Sequence, residues 1–367
     1  MKRKTQAATR GLRRGVGGLL ALAGLGMTVA TAGFDLEALN DLDAFSAALS
    51  AQTTPADEPV PRLQRLLLGE SALLSHWAAG TPPQEITTAE DDGEDEVELD
   101  AVTPEQIQPK TITGSGTGYL NGQGVTLYNR TEKTVDLDAI AQGGSSLHLG
   151  SAQAGPQILI MHTHATEAYA QNPDDPYPES GTARTTDPSH SIIRVGDEIT
   201  RIFTEMGLNV IHDTTLYDYP SYNEAYTRSR AGIEAILAQH PTIQVVLDIH
   251  RDALVGSDGT IYKPVIELDG VSTAQVMMLV GSDDAGAEFP DWPEHLALVM
   301  SVQQQMNSLW PQLARPITLR TARFNQQLTK GSFLVEVGSH GNTLEEALAG
   351  ARLFARAAGK VFLERCG

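Results

Sequence analysis

From Gln157 onward the chain alternates short apolar runs with segments whose apolar residues recur at helical spacing. QILIM (157–161), LNVIH (208–212), IQVVLDI (243–249), 261–268, QVMMLVG (275–281) and SFLVEV (332–337) read as strands. IQVVLDI is apolar enough to be buried on both faces. Segments 191–206, 224–239 and 296–309 read as helices, the first stopped by Gly207 and the second by Pro241. Thr343-Leu-Glu-Glu346 fits a capping box and opens a last helix to about Glu364. Alternation of this kind over about 210 residues predicts an α/β fold, a mixed and mostly parallel sheet with helices on both faces. Its domain is expected to span residues 155–367.

What precedes this domain differs in composition. Six of the 26 Lys and Arg fall in residues 1–14, a basic N-terminus expected on the cytoplasmic side. Residues 15–34 hold twenty residues without a charge, about enough to cross a bilayer as a helix. A basic flank places the remainder outside the cytoplasm. The competing reading is a cleaved signal peptide ending at Ala30-Thr31-Ala32, but length and glycine content favour a single-pass anchor in the cell membrane. Residues 35–154 read as an extracytoplasmic linker, with 125–149 (TLYNRT, VDLDAI) as a small cap or lead-in to the folded domain. Within it, 36–50 and 62–79 have helical spacing, and the run from Gln84 to Glu105 has ten acidic residues and no Lys or Arg. Such a run self-repels and reads as a disordered spacer. A chain starting near residue 150 is therefore expected to be soluble and to retain the chemistry.

Charge and cysteine content exclude several functions. Beyond residue 14 the chain keeps 20 basic residues against 46 acidic ones, which excludes nucleic acid as a main partner. The single cysteine, Cys366, excludes a disulfide framework and any cysteine-rich metal site. A metal here must be held by histidines and carboxylates.

Ligands of open α/β sheets bind beyond the carboxyl ends of strands. Three such ends carry reactive residues. ILIM runs into His162-Thr-His164-Ala-Thr-Glu167, VVL into Asp248-Ile-His250-Arg251, and FLV into Glu336-Val-Gly338. His164-x-x-Glu167 with His250 supplies two imidazoles and a carboxylate, which leave one position of tetrahedral zinc open. Glu336, set in an apolar strand, is costly to bury unless it is paired or used, and it is assigned as the base. This is the residue set of a zinc-dependent amide hydrolase. His162 and His164 would share a face in a straight strand. His164 is preferred as ligand, because a loop frees its ring and the Glu167 spacing follows it. His162 is then a supporting residue or a transition-state donor. Asp248 could orient a ligand histidine or form a plain ion pair. Lone strand-end histidines such as His148 and His212 read as polar caps, whereas His340 lies close enough after Glu336 to line the site.

The segments ILIMHTHATEAYA, RTTD (184–187) with IIRVGDEI, NVIHDTTLYDYPSYNEAYTRS, VVLDIHRDA, YKPV, RPITLRTARFNQQLTKGSFLVEVG and GNTLEEAL cover most of the domain. Together they resemble the stage II sporulation protein P family, membrane-anchored peptidoglycan hydrolases of endospore formers. The resemblance implies a zinc N-acetylmuramoyl-L-alanine amidase fold and activity, with an added endopeptidase action on cross-linked stem peptides. It further implies work in septal peptidoglycan remodelling during engulfment, at the sporulation septum, beside stage II sporulation proteins D and M. By carry-over, His164, Glu167 and His250 are the zinc ligands and Glu336 the base, while the choice between His162 and His164 stays open. On that reading His162 or Arg251 supports the oxyanion. Arg184, Arg251, Arg320 and Arg323 could hold peptide carboxylates, and Asn325 and Gln326 could bond the stem-peptide backbone. Each arginine serves equally well as a structural ion pair. Ser339-His340 departs from the family pattern. Two rival readings remain: a zinc carboxypeptidase-like peptidase using the same residues, and a non-catalytic peptidoglycan-binding module.

Overall fold

The computed structural model describes residues 86–88, 106–172 and 183–366. The basic N-terminus, the expected anchor and the two helical segments after it lie outside the described residues, as does most of the acidic run. Among the described residues no helix is long and apolar enough to cross a membrane.

Eight strands form the main sheet. In chain order they are β3 (Tyr119–Gly122), β4 (Val125–Asn129), β5 (Ile158–Met161), β6 (Val210–His212), β7 (Val245–Asp252), β11 (Val276–Val280), β12 (Ile317–Leu319) and β13 (Phe333–Ser339). Their spatial order is β3-β4-β12-β11-β13-β7-β5-β6. The β3–β4 and β11–β13 pairs are antiparallel and the other five are parallel, so the sheet is mixed and mostly parallel. A smaller sheet joins β1 (Ile86–Thr88), β2 (Ile107–Lys110), β8 (Leu254–Gly256), β9 (Ile261–Leu268) and β10 (Val271–Ala274). The expected strand at 261–268 thus exists, but in this second sheet.

Side-chain alternation along each strand assigns the two faces. Ile158, Ile160, Val245, Leu247, Ile249, Phe333, Val335 and Val337 join one core with helices α2 (Ile192–Glu205), α4 (Trp292–Leu309) and α5 (Leu344–Leu363). Leu159, Met161 and Val246 turn to the other face, where Ile233 of α3 (Ala225–Gln239) covers them. Helices therefore lie on both faces. Ser191 caps α2, and Gly207 leaves it at φ +93°. Both hydrogen bonds of the Thr343/Glu346 capping box are present at α5.

The folded body begins earlier than residue 155. The β3–β4 hairpin lies in the stretch expected to be linker, yet β4 pairs in parallel with β12 through Ile317↔Leu127. Glycines and polar residues mask its short apolar stretches, and β12 is only three residues long, so neither shows a clear period. Ile86–Thr88, at the head of the expected spacer, pairs antiparallel with β8. That run is β-branched and carries no charge, unlike the acids that follow it.

Val125, Leu127, Leu137, Leu147 and Leu149 are buried in the main core. At about 1.5–3 kcal/mol for each buried aliphatic side chain, five of them carry roughly as much as the whole net stability of a domain, about 5–15 kcal/mol. A chain beginning at residue 150 would lose all five and leave β12 an unpaired edge. We expect it to show no cooperative unfolding transition, whereas a chain beginning near residue 104 should. Denaturant titration of both checks this.

Candidate metal centre

Alternation places Asp248, His250 and Asp252 of β7 on the same face as Val246, away from the large core. The neighbouring strand β13 runs parallel, and its register sets Glu336 against His250. Glu336 is the one residue of β13 with intermediate exposure, although its Oε2 is buried. The register shifts between Glu336 and Ser339, where Gly338 sits at φ +68°. A Cβ on Gly338 would also fall 2.7 Å from the Asn342 side-chain oxygen.

His164 and Glu167 reach this face by a turn. β5 ends at Met161 and the chain folds through a hydrogen bond from the Glu167 amide to the His164 carbonyl, 3.1 Å. Asp248 holds the start of the turn, accepting from the Thr163 amide at 2.8 Å and the Thr163 hydroxyl at 2.6 Å. Asp218 holds its middle, accepting from the Thr166 amide and hydroxyl. The turn breaks the two-residue period, so the two histidines do not share a face. His162 stays in line with Ile158 and Ile160 and packs on Gly196 of α2. Its Nδ1 is 2.8 Å from the Ile249 carbonyl and its Nε2 is 2.9 Å from His212 Nε2. Both its nitrogens are thus engaged away from the group formed by His164, Glu167 and His250.

Ligand atoms of His164, Glu167 and His250 all lie within 4.8 Å of one another, and all three residues are buried. Glu167 Oε1 is 3.8 Å from His164 Nδ1, and its Oε2 is 3.5 Å from His250 Nδ1. His164 turns Nδ1 toward Glu167, while its Nε2 is buried with no hydrogen-bond partner. Two imidazoles and a carboxylate form a donor set that suits zinc. Asp248 Oδ1 lies 2.8 Å from His250 Nε2 and so turns Nδ1 toward Glu167, the usual service of a carboxylate to a ligand histidine.

The charges at the centre offset one another. Burial would raise the Glu167 carboxyl, but Arg251, His250 and His164 outweigh it and hold the pKa well below the usual range. Burial would lower His250, but Asp248 and Glu167 outweigh it and raise its pKa well above the ordinary value. His164 goes the other way: burial and the neighbouring His250 lower it to about 3, leaving a neutral imidazole with a lone pair to give. Burial, with Asp252 adding to it, raises Glu336 to about 8.

The other expected site residues divide. Arg251 donates its backbone amide to Glu167 at 3.0 Å, but its guanidinium binds the carbonyls of Ala168 and Ala183. It fixes the turn that carries His164 and Glu167, with Nη1 also 3.8 Å from Glu167 Oε1. Arg184 pairs with Asp218 at 3.0 Å and lies over the Tyr222 ring. Gln326 is consumed by Leu279 and Gly281, where a Cβ would meet the Ala322 carbonyl at 2.3 Å. Asn325 donates to the Tyr226 carbonyl at 2.9 Å, Arg323 donates to the Glu288 carbonyl, and Arg320 is buried. His340 is buried and donates its backbone amide to the Asp252 carbonyl. None of these joins the triad.

The family model for Stage II sporulation protein P matches residues 79–359. The chain belongs to the stage II sporulation protein P family. Stage II sporulation protein P of Bacillus subtilis (strain 168) is 27% identical over 223 residues, 56% of this chain and 50% of that protein. The chain thus spans about half the length of the curated relative it matches. Among solved structures, the CwlD amidase from Clostridioides difficile, in complex with the GerS lipoprotein, is similar at 15% identity and a TM-score of 0.37. The match covers 57% of this chain and 98% of that one. The N-acetylmuramoyl-L-alanine amidase AmiC2 of Nostoc punctiforme is similar at 13% identity and a TM-score of 0.32, over 57% of this chain and 97% of that one.

Several residues of this stage II sporulation protein P family site have no counterpart in the expected set. Tyr222 stacks on His164 at 4.4 Å, and Tyr226 meets the same ring edge-on. Asp252 pairs with Arg315 at 2.7 Å beside Glu336. Asp252 follows His250 by two, and that alternation could have marked it; Arg315 lies just before β12 and has no local signal.

The placement of the two histidines gives a direct test. His164→Ala and His250→Ala are expected to abolish stoichiometric zinc binding in equilibrium dialysis. His162→Gln should retain the metal and lose stability instead. Asp248→Asn should weaken zinc binding by about 10–100-fold.

Proposed function

We propose that this chain is a zinc-dependent peptidoglycan hydrolase that cleaves the amide between N-acetylmuramic acid and the L-alanine of the stem peptide. The observation that carries this reading is Glu336 held in register with His250, beside a buried His164–Glu167–His250 set. When bound, zinc supplies a Lewis acid and lowers the pKa of water. His164, Glu167 and His250 hold it, and Asp248 keeps the His250 ring turned to the centre. Glu336 takes the proton of the attacking water and returns it to the departing alanine nitrogen. A carboxyl raised to about 8 sits close to neutral pH, which suits a group that must both accept and release a proton. Family membership and the residue set support this substrate class.

The same reading includes cleavage of cross-linked stem peptides as a second action. It places the domain outside the cytoplasm, tethered to the cell membrane by residues 15–34 and working at the sporulation septum. Partner proteins are then stage II sporulation proteins D and M. The support for these points is the family and the basic-then-uncharged order of the N-terminus.

Digestion of purified sacculi followed by mass spectrometry tests the reaction. Release of whole stem peptides is the expected result. Removal of single terminal residues would indicate a carboxypeptidase, and no release from a zinc-loaded protein would indicate a binding module. Glu336→Gln cannot accept the proton, so turnover should fall by roughly 10²–10⁴-fold with zinc content and melting temperature kept. A zinc-loaded, stable variant with near wild-type rate would remove Glu336 from the mechanism.

A further inference from the structure

The sheet face that carries Glu336 and His250 continues past the triad toward β12. There Asp252 of β7 meets Arg315, which enters just before β12, with Arg315 Nη1 2.7 Å from Asp252 Oδ2. Both side chains are buried, at 6% and 4% residue exposure. Beyond that contact, Arg315 Nε and Glu336 Oε2 are buried without a hydrogen-bond partner. Asp252 takes Arg315 from the Nη1 side, so Nε, which belongs to the bidentate edge of the guanidinium fork, meets no acceptor. Buried polar groups normally have partners, and an unpartnered guanidinium nitrogen near an unpartnered carboxylate oxygen marks a place for a polar group from outside the chain. By contrast, Arg251, the other buried arginine at the centre, already has backbone acceptors.

Resting on the amidase reading above, we propose that Arg315, braced by Asp252, is a recognition residue for a carboxylate of the stem peptide. The ligand class is an acidic peptide whose free carboxylate lies within about one residue of the cleaved amide. A planar guanidinium held by Asp252 at Nη1, with its buried Nε lacking an acceptor, has the fork geometry that makes two parallel N–H···O bonds to a carboxylate. A carboxamide in that place offers one acceptor and a mismatched donor. The subsite therefore selects stem peptides whose second residue keeps its α-carboxylate over those in which it is amidated. Arg315 makes this choice without entering the proton transfer assigned to Glu336.

Disaccharide-peptides released from sacculi by muramidase, with the second-residue α-carboxylate either free or converted to the amide, are the probes. For the zinc-loaded wild type, kcat/KM should favour the free acid. In Arg315→Lys and Arg315→Gln that selectivity ratio should fall by about 10–100-fold, the worth of a hydrogen bond to a charged group. Melting temperature is read on the same samples, and calorimetric binding of both probes to Glu336→Gln repeats the comparison without turnover. If wild type cuts neither probe, the amidase reading fails, and binding still decides the subsite. Equal preference of the wild type for acid and amide in binding overturns the proposal. So does an unchanged ratio in a folded Arg315 variant, because a purely structural ion pair would cost stability and leave selectivity alone.

Discussion

The site depends on two adjacent parallel strands, β7 and β13, keeping strict alternation as far as the His250–Glu336 pair. Each of them presents apolar residues to the α2–α4–α5 core and polar ones to the opposite face. A slip of one residue in either strand would send its polar residues into that core. The dry core thus enforces the register that sets Glu336 against His250. Cost and function are coupled here, because the burial that stabilises the sheet also raises Glu336 toward neutral pH.

Four carboxylates, those of Glu167, Asp248, Asp252 and Glu336, meet on or beside this face, against His164, His250, Arg251 and Arg315. Removing one of the cations from such a cluster leaves an uncompensated buried carboxylate, which is strongly destabilising. The pairs are not interchangeable. Asp248 and Arg251 anchor the ligand turn through backbone and hydroxyl groups, whereas Arg315 keeps a donor without an acceptor. The former are positioned for rigidity and the latter for exchange with something outside the chain.

The main sheet is completed from upstream. Without β3 and β4, the edge at β12 would lie open next to Arg315. The hairpin was hard to see because its strands are four and five residues long and flanked by glycines. Composition assigned this stretch to a linker, while pairing through Leu127 makes it part of the folded body. The long strands and helices were legible because their periods run over several turns or alternations, and their caps, Ser191 and Thr343, are local side-chain chemistry.

By itself, the sequence determined the α/β alternation, the strand ends that carry the chemistry, and His164, Glu167, His250 and Glu336 as residues of one centre. These follow from patterns within a few residues of each other, where geometry is set by the backbone period. Tertiary structure alone decided between His162 and His164, since two positions that share a face in a straight strand part once the chain turns at residue 163. It alone diverted Gln326 and the Arg251 guanidinium to carbonyls, and brought Arg315 to Asp252 across 63 residues of chain. Such contacts depend on which strands become neighbours, and strand order is settled by packing two core faces at once, not by any local run of residues.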